Sequence, residues 1–331
     1  MNQKAQFSSS GPGCISEEQY FALRTGAGAI WIEREFLEVS GPDTLKFLQG
    51  QCSQNIDAIE VGQSADSLLL EPDGKLCALI RLTRLKDDQV IIDTARGYKD
   101  KVEHRLARFK LRTKVEFKTL DWHCVGLRGN KVAQLSELNH LEGVDVLVID
   151  FDWNNWKGVD LIGPSVQLLE SVEVAPNIQI HDVEICSFEA GQSCRIESGI
   201  PLMGAELTEK TIPGEAHLVE RTVSFSKGCY TGQELIARLD ARGNRVARRL
   251  VGIVIDESDH VAVPSVGSQL ISGPDSKVVG VLTSLSWSPS LGCPVALGYL
   301  HRSIEIPNRL EIKSLDDTRI FAAEARVLPL V

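Results

Sequence analysis

The stretch "SFSKGCYTGQELIARLDARG" (residues 224–243) sets a cysteine beside a lysine and between two glycines, and then runs into a helical pattern. Thr231 and Glu234 have the T-x-x-E spacing of a capping box, with Thr231 as N-cap and Glu234 as the third helical residue. Tyr230 and Leu235 fall at the two positions of a hydrophobic staple. Arg238 and Arg242 lie toward the C-terminal end, where cations complement the helix dipole, and Gly243 suits the terminator position. The spacing predicts a short helix that starts at Thr231. Cys229 then lies just ahead of the helix N-terminus, and Lys227 shares its face if the segment is extended. A cation and a helix N-terminus both favour thiolate over thiol, so Lys227 and Cys229 form a candidate reactive pair. The competing reading is a cysteine that packs beside a helix start. No histidine supports a Cys-His nucleophile locally, the nearest being His217 and His260.

The rest of the chain bounds the possibilities. Its 331 residues exceed one ordinary compact core and point to two or three domains. Hydrophobic residues make up 43% and charged residues 24%, as in a soluble globular protein. No apolar run approaches the ~20 residues a membrane helix needs, and the polar start "MNQKAQFSSSGPGC" reads as a loose tail rather than a signal peptide. The expectation is a cytoplasmic protein with no membrane partner. A net charge of −10 argues against direct nucleic-acid binding, which draws on cations meeting phosphates. The arginines from Arg238 to Arg249 read as a solvated face. None of the eight cysteines forms a C-x-x-C pair, so no stably bound metal is expected.

Along the chain, strands are expected near 34–39, on both sides of the turn Pro72-Asp73-Gly74, at "QVIIDTA", near 114–128, 144–151 and 157–163. Helices are expected at "SGPDTLKFLQGQ", at "YKDKVEHRLARFKL", near 130–139 and near 164–172. From about 246 short apolar runs alternate with Gly, Pro, Ser and Asp, the texture of a small all-β barrel. The expected division is a tail (1–15), an α+β region of two lobes (16–245) and a C-terminal barrel (246–331).

The segment "KGCYTGQE" (residues 227–234), followed by Arg238, resembles the signature of the YgfZ-type folate-binding proteins, relatives of the glycine-cleavage T-protein (GcvT, an aminomethyltransferase). "VSGPDTLKFLQGQ", "CRIESGIPLMGAEL", "IPGEAHLVERTVSFSKGCYTGQE" and "VGVLTSLSWSPSLGCPVALGYLHR" resemble further segments of that family, in the same order. The resemblance implies an α+β, multi-lobed T-protein-like fold around a central folate cleft, with a small C-terminal β-barrel. It implies tetrahydrofolate as ligand, with Glu197 of R-x-E-x-G on the pteridine, Arg195 nearby, and Gln233 and Arg238 as further contacts. It implies a supporting role in iron–sulfur cluster assembly or repair, with cluster clients or assembly proteins as partners, tRNA-modifying radical enzymes among them. A single thiolate cannot hold such a cluster alone, so Cys229 would act on a client. Two departures stand out. The aspartate that aminomethyltransferases carry after their second-lobe turn falls at Cys77-Ala78, and another family aspartate is Asn55. The missing carboxylate favours a folate binder over a turnover enzyme. A folate-dependent aminomethyltransferase is the alternative.

Overall fold

The computed structural model describes residues 15–331 except 136–137, 139–144, 170, 176–177, 244, 257–262, 274–276 and 317. The expected tail lies almost wholly outside the described residues. Two five-stranded sheets interleave in sequence. One is antiparallel, in the order Ser64–Leu70, Leu76–Lys86, Gln89–Ala95, Arg34–Ser40, Glu116–Leu120. The other runs Glu184–Ile185, Gly28–Trp31, His123–Arg128, Trp156–Gly163, Leu147–Trp153, with only its first pair parallel. The chain leaves the second sheet at Trp31, builds the first, and returns at His123. Phe36 and Ile91 of one sheet meet Cys124, Ile149 and Ile162 of the other in a shared buried cluster.

The third unit is a closed barrel of six antiparallel strands, in the order Arg248–Ile255, Cys293–His301, Lys277–Ser288, Gln269–Ser272, Asn308–Lys313, Ile320–Arg326. Closure leaves no edge strand to cap. The barrel docks on the helix Phe188–Glu197. Ser187 caps that helix by accepting from the Ala190 N–H at 3.3 Å. Ala190, Gly191, Ser193 and Cys194 are small enough for the helix to be buried almost throughout. Ile196 packs against Leu250, Val295 and Leu297 of the barrel wall.

Three expectations are corrected. The segment near 164–172 is no helix: Gln167–Leu168 pairs with Val172–Ala175 in a three-stranded sheet whose Val172, Val174 and Ile180 cover the second lobe's core. Those side chains alternate along strands, and burying them outweighs weak helical spacing. Near 130–139 the described residues show only a single turn, Val132–Gln134. The signature helix spans Gln233–Asp240, with Gly232 rather than Thr231 at its N-cap and no side-chain cap. Thr231 is drawn away because its N–H donates to the Gly50 carbonyl at 3.1 Å. Gln233 Oε1 instead accepts from the Tyr230 N–H at 3.1 Å.

Candidate functional site

A cavity of about 630 Å³ lies between the two sheets and the Phe188–Glu197 helix. That size suits a small-molecule site. Phe151, Trp153 and Trp156 contribute aromatic walls, while Trp31, Phe188 and Leu202 line it with partly exposed apolar surface.

Its polar wall is a ladder of charges set by strand register. Arg81 and Asp93 are direct cross-strand partners in the first sheet, and Arg81 Nε donates to Asp93 Oδ2 at 3.0 Å. Arg34 sits diagonally across and holds Asp93 Oδ1 through its Nε. In the second sheet Arg128 faces Gly158, two residues from Asp160, which puts both on one face. Asp160 takes Arg128 on one oxygen and Arg81 on the other, each at 2.5 Å. Arg81 thus bridges the sheets. Arg128 also stacks on Phe151, 3.6 Å from the ring centroid. Burial alone would raise the Asp160 carboxyl, but Arg128 and Arg81 hold it well below the usual carboxylate range. Burial likewise works against the Arg81 charge, and Asp93 and Asp160 more than restore it. Asp160 and Arg81 are therefore ionised.

Few of the sequence-expected ligand residues reach this cavity. Arg195 lines it, yet its guanidinium is engaged by Glu206 at 3.1 Å, Ser284 Oγ at 2.8 Å and the Ile200 carbonyl at 2.7 Å. Arg195 and Glu197 lie on a helix, not a strand, and do not pair. Glu197 is fully buried at the helix end, outside the cavity lining, held by Arg24 and by the Tyr20 hydroxyl at 2.8 Å. Its Oε1 has no partner among the described residues. Gln233 and Arg238 are also outside the lining, Gln233 accepting from the Tyr230 N–H and Arg238 exposed.

The signature segment has a different character. Lys227 Nζ donates to the carbonyls of Cys52 and Gln54, both at 2.7 Å. The Ser224 N–H donates to Ser53 O at 3.0 Å and the Thr231 N–H to Gly50 O. Together these stitch residues 224–231 to residues 50–54. Burial pushes the Lys227 ammonium down to about 8. Its ammonium serves the neighbouring carbonyls. Gly232 has φ +84°, and a Cβ there would stand 2.5 Å from the Glu71 carbonyl oxygen. The same turn presents Gly74, whose Cβ would meet Leu235 at 2.5 Å. These two glycines exist to let the Glu71–Gly74 turn and the helix start touch. Cys229 remains exposed, unlike every other described cysteine. Cys186, which lines the cavity, is pushed to about 12 by burial and by Glu184, so it stays a thiol.

The model of the glycine cleavage T-protein C-terminal barrel domain matches residues 248–331, the six-stranded unit. That match covers the barrel alone, about a quarter of the chain. An aminomethyltransferase of Thermus thermophilus is 26% identical over 343 residues, covering 95% of this chain and 90% of that one. An uncharacterized protein of Haemophilus influenzae is 25% identical over 211 residues, 63% of this chain and 67% of its own length. In fold, this chain resembles the glycine cleavage system aminomethyltransferase T of Bartonella henselae, with a TM-score of 0.77 at 20% identity over 95% of this chain and 89% of that one.

Asp160, Arg81, Arg34, Arg128 and Asp93 were not singled out by sequence reading. For three of them a signal was present. Arg81, Asp93 and Asp160 are charges inside largely apolar strands, "LIRLTRL", "QVIIDTA" and "KGVDLIG", and a charge buried there needs a partner; Arg34 and Arg128 stand at strand ends and carry no such mark. Among the described residues no cluster of three or more His, Cys, Asp or Glu could hold a metal ion, and no helix is long and apolar enough to cross a membrane.

Proposed function

We propose that the central cavity binds tetrahydrofolate or a close folate derivative. The observation that carries this reading is the combination in one cavity of aromatic walls and a buried, ionised carboxylate at Asp160. A pteridine needs flat apolar faces, and its aminopyrimidine edge needs an acceptor of parallel N–H donors. Asp160 keeps unused acceptor capacity on both oxygens, since each takes one guanidinium bond. Asp160 thus takes the part that the family resemblance gave to Glu197. Calorimetric titration with tetrahydrofolate tests the reading. We expect one saturable site per chain, and no detectable heat would remove the folate assignment.

We further propose that the folate-bound protein supports iron–sulfur cluster assembly or repair in client enzymes, radical tRNA-modifying enzymes among them, through Cys229. The exposed thiol on a segment otherwise tied down by backbone bonds supports this, together with the resemblance of "KGCYTGQE". A Cys229→Ala chain in cells lacking the wild-type copy should leave cluster-dependent enzymes deficient, and full activity there would end the role given to the thiol.

The Thermus relative's name favours a second reading, aminomethyl transfer to tetrahydrofolate. The residues speak against it. Cys77 and Ala78 are buried where a carboxylate is wanted, and burial, then Glu71, push Cys77 to about 11. Asp160 and Asp66 are each tied to arginine, which makes them poor bases. Appreciable methylene-tetrahydrofolate formation from an aminomethylated donor would reverse this judgement.

A further inference from the structure

The charge ladder is not balanced. Arg34, Arg81 and Arg128 meet only Asp93 and Asp160. Three guanidiniums against two carboxylates leave the ladder itself one positive charge in excess, and the other acidic residues of the lining, Glu33, Asp66, Asp150 and Glu189, make no bond to it. Buried unbalanced charge is expensive, and proteins compensate it with a partner. Within the ladder, Arg81 Nη2 and Arg128 Nε are buried without an acceptor. Arg34 is the member that reaches open space. It lines the cavity, its side chain is 22% exposed, and its bonds to Asp93 run through Nε and Nη2. No acceptor among the described residues reaches its Nη1. Its Nε therefore holds the Asp93 carboxylate and its Nη2 the Asp93 backbone carbonyl, which leaves Nη1 for a ligand in the cavity it lines. The remaining cavity cations do not share this state: Arg195 is matched by Glu206 and Arg221 by Asp66.

We propose that this wall is an anion subsite, built on Arg34 and backed by Arg81, that takes a carboxylate. The planar guanidinium fork matches two carboxylate oxygens, and one unit of bound negative charge neutralises the ladder. The inference rests on the cavity being a ligand site, not on the ligand being a folate. The carboxylate can belong to the glutamyl group of a folate or to a separate small acid held beside it.

Sodium acetate is the probe, titrated against sodium chloride at constant ionic strength while following the emission of the tryptophans that line the cavity. Wild-type protein should show a saturable response specific to acetate. Arg34→Gln leaves two guanidiniums against two carboxylates, so Asp93 keeps its bond from Arg81. It should retain the wild-type circular dichroism and bind acetate at least tenfold more weakly. Arg34→Lys keeps the charge without the fork and should fall between them. A response no different from chloride, or equal acetate binding by Arg34→Gln, overturns the proposal. Repeating the titration in saturating tetrahydrofolate and in 6-methyltetrahydropterin, which carries no carboxylate, identifies the source. Loss of acetate binding with tetrahydrofolate alone assigns the subsite to the folate's own carboxylate, and retention with both assigns it to a second acid. If neither pterin binds while acetate still does, the folate reading fails and the anion subsite stands.

Discussion

The cavity wall and the signature segment invite comparison because they look opposite in sequence and in space. The signature is eight contiguous residues, and most of it is scaffold: Lys227 and Thr231 bond to residues 50–54, Gly232 permits a close approach, and Gln233 ties down the Tyr230 N–H ahead of the helix. The ladder is five charged residues scattered from 34 to 160, and all of them but the buried Asp93 line a cavity. Contiguity marks a local structural problem that neighbouring residues solve together. Ligand chemistry here is assembled across two interleaved sheets.

The comparison breaks most easily at Asp160. Asp160→Ala strands Arg128 as a buried, uncompensated cation and leaves Arg81 to share Asp93 with Arg34, and such losses run to roughly 3–5 kcal/mol. Urea unfolding should show a loss of that order. A loss below about 1 kcal/mol would mean the ladder is solvated and the contrast false.

Gly232→Ala sharpens the other side. It forces a side chain into a left-handed conformation and against the Glu71 carbonyl, worth about 1–3 kcal/mol. We expect that loss in unfolding, with tetrahydrofolate affinity in the remaining folded protein unchanged.

Lys227 gives a pH signature. Its ammonium is lowered to about 8 in the fold from the usual 10.5. The native state therefore releases this proton first, and the unfolded state binds more protons between pH 8 and 10.5. Stability contributed at this site rises with pH across that window. Lys227→Met should lose the rise while also losing two hydrogen bonds to carbonyls. Parallel stability profiles for the two proteins from pH 7.5 to 10.5 would place the lysine in solvent instead.

The smallest effect belongs to Cys229. Its side chain is exposed, so Cys229→Ala should change stability by no more than about 0.5 kcal/mol, and a larger loss would make the thiol structural.

Much of the architecture was legible in the sequence. The Pro72-Asp73-Gly74 hairpin, the strands around 93, 125, 150 and 160, and the barrel's short apolar runs follow local turn chemistry and alternation. The fold class follows as well. The capping box was misread because Thr231 has a stronger claim on it from Gly50, a residue far away in sequence. Glu197 was given to the ligand by the family resemblance, whereas Arg24 and Tyr20, brought in by a helix near the N-terminus, hold its Oε2. The ladder was hidden for a related reason. Single charges in apolar strands announce burial but not which partner, and Arg81 meets Asp160 only because the chain returns to the second sheet after completing the first.

The most direct test of the central claim is calorimetric titration of tetrahydrofolate into wild-type, Asp160→Asn and Cys229→Ala proteins of matched circular dichroism. If the cavity rather than the signature holds the ligand, Cys229→Ala binds as wild type and Asp160→Asn binds at least tenfold more weakly. Wild-type affinity in Asp160→Asn, or its loss in Cys229→Ala, would contradict the account.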